Sequence, residues 1–542
     1  MEELNNKKYI SWPTLALMGF VTVVGFDDLI YNFQNQGLSV IVSWMLMIVL
    51  YVIPYSMMVG HLGSAFDHEE GGLSSWVRGT NGDFLGYLTA WTHWAASIPY
   101  IVDTANTIVI GIGWLIKGNA NLQDQLSNSG FALLTLVVFV VFIYIQSKFA
   151  NSMEFLSKVG GIAMFSMTVL FVIMTFAALS MGGHIKTQPI TAQALMPKFD
   201  FHYLTTIGLL IYGINGAESI APFITKMRKP QKDFPKAMIM LAAMTGFLTI
   251  FGSFSLSVFF NAYHLPADLK MNGSYYAFQA LGAHFHLGNT FMYIFALTEI
   301  FYLSALLAVL LDAMTRMLIS DTGSKYIPKV LQKTTASGLP INGYILTCGL
   351  SAFIMGLGIF LPSMLDVFDW LLNLNGIISP GVTCWVFFAF IQVRRRSSEF
   401  PSDYVFIKND FVAQMVGWWC LIITLAATIF GIGPKDVAQG SSTWWYELII
   451  NIIAIIVLVG LGAILPYLAK REARSNKGSA FTSKQWIGIS SSLLATIVGD
   501  LYLGGTHMQN ATWLMILTTL IGVTLIFIFG HKQYDLKEIR IK

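Results

Sequence analysis

Two adjacent carboxyl groups lie inside the first long apolar segment of the chain. The stretch TVVGFDDLIYNF (22–33) carries them as Asp27 and Asp28. An ionised aspartate at the centre of a bilayer costs roughly 2.5–3.5 kcal/mol on insertion scales. Other apolar segments also hold acids, and the full set is Asp27, Asp28, Asp103, Glu218, Glu299 and Asp312. Intramembrane acids bind cations, carry protons or pair with a base, so this set indicates a transport pathway.

These acids differ in the role that their neighbours predict. Asp312 is predicted to be structural, because Arg316 follows one helical turn later and can pair with it. Glu218 follows a glycine-rich interruption, where a buried carboxyl can exchange a proton, so it is the main candidate for coupling or gating. A carboxylate at Asp27 or Asp28 would attract an ammonium or guanidinium group and repel an acidic one. The alternative for each acid is a protonated or paired group that only fixes helix packing.

Other kinds of chemistry find little support in the sequence. Cys348, Cys384 and Cys420 lack CxxC spacing, and the histidines do not form a set with metal-ligand spacing. Glycine clusters lack the strand–turn–helix setting of a phosphate loop. No nucleophile–base pair and no basic, aromatic-interleaved surface stands out. We therefore expect no metal, no cofactor, no nucleic-acid partner and no enzymatic activity.

The composition predicts an all-α polytopic membrane protein. Of 542 residues, 55% are hydrophobic and 11% are charged, whereas soluble domains carry about 25% charged residues. The mean hydropathy is +0.63. Apolar runs of about twenty residues predict about fourteen spanning helices. They lie near 11–34, 37–60, 84–116, 130–147, 152–182, 202–225, 235–262, 288–320, 341–361, 364–393, 411–433, 443–469, 485–504 and 511–530.

Two of these helices are interrupted, the first at 24–28 and the sixth at 212–218. If each begins a unit of five helices, the second unit is inverted relative to the first, as in inverted-repeat transporters with broken helices at the binding site. The predicted divisions are 1–10 (N-terminus), 11–182 (first repeat), 202–393 (second repeat), 411–469 (helices eleven and twelve), 485–530 (two additional helices) and 531–542 (tail).

Basic residues alternate between loops. They collect before the first helix and after the sixth, eighth, tenth, twelfth and last helices, for example in KMRKPQKDFPK (226–236) and KREARSNK (470–477). The loop at 263–289 is nearly free of them. Since lysine and arginine collect on the cytoplasmic side, both termini are predicted to be cytoplasmic and the membrane to be the cell membrane.

Several motifs resemble a known family. The loop at 63–91 contains Glu70-Gly71-Gly72 and then Trp76-Val77, on a predicted short amphipathic helix. IYGINGAESIAPF (211–223), RKPQKDFPKA (228–237) and DAMTRMLISDTGSKYIPK (312–329) extend the likeness. Together they resemble the amino acid–polyamine–organocation (APC) permease superfamily over about residues 10–470. The EEGG loop is most similar to the glutamate/GABA-antiporter branch.

The resemblance implies a secondary active transporter of amino acids or related amines, driven by protons or by exchange and working by alternating access. Acids at the first break give a slight preference for cationic cargo; a glutamate/GABA-type or neutral amino acid antiporter is the alternative. An ion channel and a non-transporting sensor are the rival classes.

Phe301 is a further aromatic that could close over the cargo. The oligomeric state is left open. The implied substrate-binding residues are Gly25, Phe26, Asp27, Asp28, Asp103, Tyr212, Gly213, Ile214, Asn215, Gly216 and Tyr302, and the implied coupling or gating residues are Glu218 and Glu299.

Overall fold

The chain is seen here in a computed structural model. The structure describes residues 9–120, 125–148, 152–266, 268–319, 322, 325–335, 339–357, 364–435, 437–474, 480–505 and 511–531. Regular structure within those ranges is helical, as predicted, and the extended contacts there are two isolated bridges.

Twenty α-helices follow one another in the described ranges. The first ten are α1 Trp12–Val23, α2 Phe26–Gln36, α3 Ser39–Met47, α4 Ile53–Ala65, α5 Leu73–Asn81, α6 Asp83–Lys117, α7 Asn128–Lys148, α8 Ser152–Ser180, α9 Ala192–Leu195 and α10 Phe201–Tyr212. The others are α11 Pro230–Phe259, α12 Leu269–His284, α13 Thr290–Ile319, α14 Ile341–Leu357, α15 Met364–Arg395, α16 Asp410–Gly431, α17 Ser442–Gly460, α18 Ile464–Arg474, α19 Ser483–Gly505 and α20 Ala511–His531.

The membrane character of these helices agrees with the sequence. Each of the fourteen predicted segments contains helix, and eleven helical segments in the described ranges are long and apolar enough to cross a bilayer. The helices at 341–357 and 511–531 contribute only shorter apolar stretches. A multi-pass membrane protein is confirmed, while the count of fourteen spans stays a prediction.

The first predicted break lies at Val24 and Gly25, between α1 and α2. Both residues are extended, with φ values of −147° and −112°. The helix restarts with Asp27 and Asp28 in its first turn, where carboxylates complement the helix dipole. The Gly25 N–H donates to Asp28 Oδ2 at 2.7 Å, so one of the two adjacent aspartates caps the second half of the broken helix.

The second predicted break follows α10 and is longer. The chain leaves the α-helix after Tyr212 and resumes as a 3-10 helix, Ala217–Lys226. Gly216 has a φ of +110°, a left-handed conformation that L side chains rarely adopt. Gly216 therefore permits the interruption of the helix that the sequence predicted.

Three of the described α-helices lie outside the predicted spans, and the shortest of them is the four-residue α9. The amphipathic helix predicted in the EEGG loop forms as α5, Leu73–Asn81, and its Ser74 hydroxyl donates to Met317 O at 3.1 Å. The segment 263–289, expected to be a loop, contains the sixteen-residue helix α12, which packs against α2 and α13. That expectation was wrong because the helix lacks both the length and the apolar run of a spanning segment, although it is largely buried.

Candidate substrate and proton site

The two helix breaks lie side by side. Thr22 Oγ1, just before the first break, donates to Gly216 O in the second at 3.2 Å. Asn32 Nδ2 donates to Leu209 O at 3.3 Å, which ties α2 to α10. The sequence-predicted meeting of two discontinuous helices is thus present, and irregular backbone is buried there against protein.

Four carboxyl groups meet beside the first break around a cavity of about 30 Å³, here called the carboxyl cavity. Asp27 and Asp28 come from α2, Asp103 from α6 and Glu299 from α13. Among the described residues that line it, none is a lysine, arginine or histidine. The other polar lining groups are Tyr31, Tyr100, Thr104, Thr107, Tyr212 and Tyr302. The structure therefore gathers four of the six predicted acids in one place.

The four carboxyls have different partners. Asp28 accepts from Gly25 N–H, as described above, and Asp27 accepts a short hydrogen bond from Ser274 on α12. Glu299 lies in the wall of the same cavity. Carboxyl groups gathered around so small a cavity repel one another when ionised, so the cluster favours the retention of protons.

Asp103 and Glu299 each have one carboxyl oxygen without a hydrogen-bond partner in the described part of the chain, Oδ1 and Oε2 respectively. The two residues are 4% and 1% exposed. Buried polar atoms are nearly always satisfied, so an open acceptor on the wall of a cavity is a candidate contact for cargo. The backbone acceptor at the break, Val24 O, is by contrast occupied by the Tyr302 hydroxyl at 2.8 Å.

A second cavity of about 60 Å³ lies beside the second break, here called the amide cavity after Asn215 and Asn375 in its wall. Tyr100 and Tyr212 line both cavities. Their rings meet edge to face with centroids 5.6 Å apart. This tyrosine pair is the partition between the carboxyl cavity and the amide cavity.

Glu218 lies in the wall of the amide cavity, apart from the carboxyl cluster. It accepts a short hydrogen bond from the Tyr55 hydroxyl, and its Oε1 lies 3.4 Å from His93 Nε2. The same Tyr55 oxygen accepts from the N–H groups of Gly216 and Ala217 at 3.1 and 3.0 Å. Glu218 is therefore linked through one tyrosine to the backbone of the second break.

The sequence profile of the amino acid permease family matches residues 10–459. The chain belongs to the amino acid permease family. It is a membrane transporter of amino acids and not an enzyme, as the motifs had predicted.

Among the curated relatives of this permease are proteins from Lactococcus lactis. The aspartate/glutamate permease AcaP of subsp. cremoris is 40% identical, over 86% of this chain and 96% of the relative. The probable agmatine/putrescine antiporter AguD of subsp. lactis is 23% identical, over 82% and 92%. A glutamate/gamma-aminobutyrate antiporter of subsp. lactis is also 23% identical, over 62% and 66%. The predicted likeness to glutamate/GABA antiporters is thus present among the relatives.

A solved structure supports the fold. The crystal structure of MhsT in complex with L-phenylalanine matches 78% of this chain and 100% of its own, with a TM-score of 0.55 and 14% identity. At that identity the likeness concerns the fold alone. The permease therefore has the inverted-repeat, broken-helix transporter architecture that the interrupted helices predicted.

Some predicted site residues lie away from both cavities. Phe26 is fully buried in an aromatic cluster with Phe171, Phe278 and Phe295. Ile214 is buried without lining either cavity, and Phe301 lies 36% exposed at the protein surface. Gly213 approaches the site from the second break: a Cβ there would lie 3.2 Å from Asp28 Cβ.

Other residues at the site were not predicted from the sequence. They are Thr22, Tyr31, Tyr51, Tyr55, His93, Tyr100, Ser274 and Asn375. Tyrosines in an apolar segment look like membrane-interface anchors, so they carry no distinctive signal. Asn375, in LLNLNG, was detectable in principle because a polar side chain in a spanning helix usually needs a partner.

Gly216→Ala should markedly lower the thermal stability of the permease. Both the left-handed backbone and a new Cβ 2.4 Å from Thr22 O oppose the substitution. We expect about 1–2 kcal/mol from the backbone and roughly 1–3 kcal/mol from overpacking. Gly182→Ala is the matched control, because its φ is +90° and a Cβ there meets no atom within 4 Å. Equal melting temperatures for the two variants in detergent would contradict the close packing of the breaks.

Proposed function

We propose that this permease carries acidic amino acids, aspartate and glutamate, across the cell membrane together with protons, by alternating access between its two broken helices. The substrate class is supported by the relative that is 40% identical over nearly its whole length and is named an aspartate/glutamate permease.

The observation that carries proton coupling is the gathering of four carboxyl groups around one buried cavity whose described lining residues include no base. Protons that reduce the charge of this cluster are held inside the membrane, at the break where cargo is expected to bind. An anionic cargo enters a cluster of four acids only when protons have reduced their charge, because like charges at short range in a low dielectric repel strongly. Binding of the cargo and retention of protons therefore favour each other.

Cargo must also displace internal contacts. Asp28 and Tyr302 occupy Gly25 N–H and Val24 O at the first break, and Tyr55 occupies two N–H groups at the second. A cavity of about 30 Å³ holds about two waters and no amino acid. We infer that the structure represents a closed state, and that opening exchanges these contacts for the cargo's ammonium and carboxylate.

A cationic cargo is the second candidate, and the carboxyl cavity itself favours it. Four acids without a basic lining residue attract an amine more readily than a carboxylate. The slight preference for cations that the sequence predicted rests on this cluster and stays a prediction.

Transport by purified permease in proteoliposomes distinguishes the two candidates. Labelled aspartate should accumulate when the outside is more acidic than the inside, and unlabelled glutamate should compete with it better than arginine or putrescine does. Absence of aspartate and glutamate uptake, together with uptake of putrescine or arginine, would overturn the acidic assignment in favour of the cationic one. Steady current without accumulation would indicate a channel.

Glu218→Gln should slow transport and flatten its dependence on pH while the protein stays folded. Glutamine keeps the side-chain size and can still hydrogen-bond Tyr55, but it lacks a removable proton. The groups facing this position are Tyr55 and His93. Initial uptake rates measured between pH 5 and 8 test the expectation, with His93→Gln as the comparison for the neighbouring titratable group. An unchanged pH profile would mean that a group other than Glu218 exchanges the proton.

We also propose that both termini face the cytoplasm and that residues 11–182 and 202–393 form the inverted repeats. In a background without the three native cysteines, Arg228→Cys should react with an impermeant maleimide only after the membrane is opened. His264→Cys should react from outside, since both side chains are exposed and lie in loops of opposite basic content. Labelling of Arg228→Cys in intact cells would refute the orientation.

A further inference from the structure

Two buried amide groups in the amide cavity have donors without partners. Asn215 is 3% exposed and Asn375 is 2% exposed, and neither Nδ2 has a hydrogen-bond partner in the described ranges. Asn215 comes from the second break and Asn375 from α15, so elements distant in sequence bring these two groups to one cavity. Buried donors are rarely left unsatisfied, and two of them on one cavity wall point to a ligand with acceptor atoms.

The local contacts hold one of these donors in place. Asn215 Oδ1 accepts from the Tyr51 hydroxyl at 3.0 Å, which leaves its Nδ2 as the remaining polar group of the amide. Tyr51 itself stacks on Tyr55, with ring centroids 5.7 Å apart. The Tyr51 hydroxyl also accepts from Thr424 Oγ1 at 3.4 Å, which favours Tyr51 as the donor to Asn215 Oδ1 and leaves Asn215 Nδ2 as the unpartnered group.

The two cavities have complementary chemistry. The carboxyl cavity offers an open acceptor on Asp103, and the amide cavity offers the two open amide donors. An acidic amino acid carries an ammonium group, which only donates, and a side-chain carboxylate, which only accepts when ionised. When the rings of Tyr100 and Tyr212 move apart, the two cavities join. One acidic amino acid then places its ammonium group against the acids and its side-chain carboxylate against the amides.

We propose that Asn215 and Asn375 bind the side-chain carboxylate of the acidic cargo and so determine the preference for aspartate and glutamate over their amides. This inference rests on the proposed acidic substrate class. Glu218 shares the same cavity, so a carboxylate bound there opposes a negative charge on Glu218. Binding of the cargo's side-chain carboxylate and binding of a proton at Glu218 therefore take place in the same cavity and favour each other.

The test is the ratio of inhibition constants for aspartate and asparagine against labelled aspartate uptake. Asn375→Asp and Asn215→Asp keep the size of each side chain and replace the amide donor by an acceptor. Asn215→Asp also retains an oxygen that can accept from Tyr51. Each variant should reduce the preference for aspartate over asparagine by roughly tenfold or more, as expected for a charged hydrogen bond replaced by repulsion.

Asn409→Asp is the matched control, because this exposed residue caps α16 and aspartate caps a helix equally well. It should leave the ratio unchanged. If either site variant is unfolded by its melting profile, Asn375→Leu, which removes the donor without adding charge, takes its place with the same expectation. A wild-type ratio in folded variants at both positions overturns the inference while the acidic substrate class stands. Failure of the wild-type permease to transport aspartate or glutamate would instead overturn the proposed function.

Discussion

Glu299→Gln should lower the accumulation of aspartate roughly tenfold when the inward proton gradient is one pH unit. One coupled proton contributes about 1.36 kcal/mol per pH unit, which corresponds to that factor. Glutamine keeps the size and much of the hydrogen-bonding capacity of the side chain, so the local geometry should persist, but it has no proton to release. The measurement is steady-state accumulation in proteoliposomes with and without the gradient.

Exchange of internal for external aspartate separates loss of coupling from loss of the site. Exchange needs cargo binding and alternating access but no net proton movement, so Glu299→Gln should retain most of the wild-type exchange rate. Ser274→Ala is the control, since it removes a neutral donor to Asp27 and leaves both carboxyls in place. If Glu299→Gln still accumulates aspartate as the wild type does, Glu299 is not the coupling proton site.

The gathering of these acids could be partly predicted from the sequence. Glycine and aspartate inside an apolar run identified the first break, and the structure places it within the predicted 24–28 segment. The cost of intramembrane charge identified Asp103 and Glu299 as candidates, and both line the carboxyl cavity. It did not indicate that these acids would meet Asp27 and Asp28, because the carboxyl cavity joins helices that are far apart in the chain.

The hydrogen-bond partners at the second break were harder to predict. Tyr51 and Tyr55 lie in an apolar helix, where their pattern does not differ from that of packing residues, yet they fix Asn215 and Glu218. α12 was also missed, because a helix that covers a site needs no continuous apolar run. Its Ser274 nonetheless reaches the carboxyl cluster. Local periodicity predicts which segments are helices, whereas such contacts depend on how the helices pack.

The second expected result concerns the charge of the cargo, and it depends on Asp103. In the carboxyl cavity Asp28 caps α2 and Asp27 accepts from Ser274, which leaves open acceptors on Asp103 and Glu299. Because Glu299 is the proposed proton site, Asp103 is the acid expected to accept the cargo's ammonium. A hydrogen bond to a charged group contributes about 1.5–3 kcal/mol, so Asp103→Asn should raise the KM for aspartate by roughly ten- to hundredfold.

The same variant separates the acidic from the cationic assignment. Under the acidic assignment, Asp103→Asn weakens the binding of aspartate and of asparagine equally, because both present the same ammonium group. Putrescine is then a poor competitor of aspartate uptake in the wild type and in the variant. Under the cationic assignment, putrescine inhibits the wild type better than aspartate does and loses most from the substitution, since it presents two ammonium groups and no carboxylate to a cluster of acids. Asp312→Asn provides the comparison outside the cavity, as Asp312 lies on α13 and pairs with Arg316 at 3.0 Å. An unchanged KM for every cargo in Asp103→Asn would place the ammonium contact on another group, and Asp103 would then be a protonated residue that fixes α6 against its neighbours.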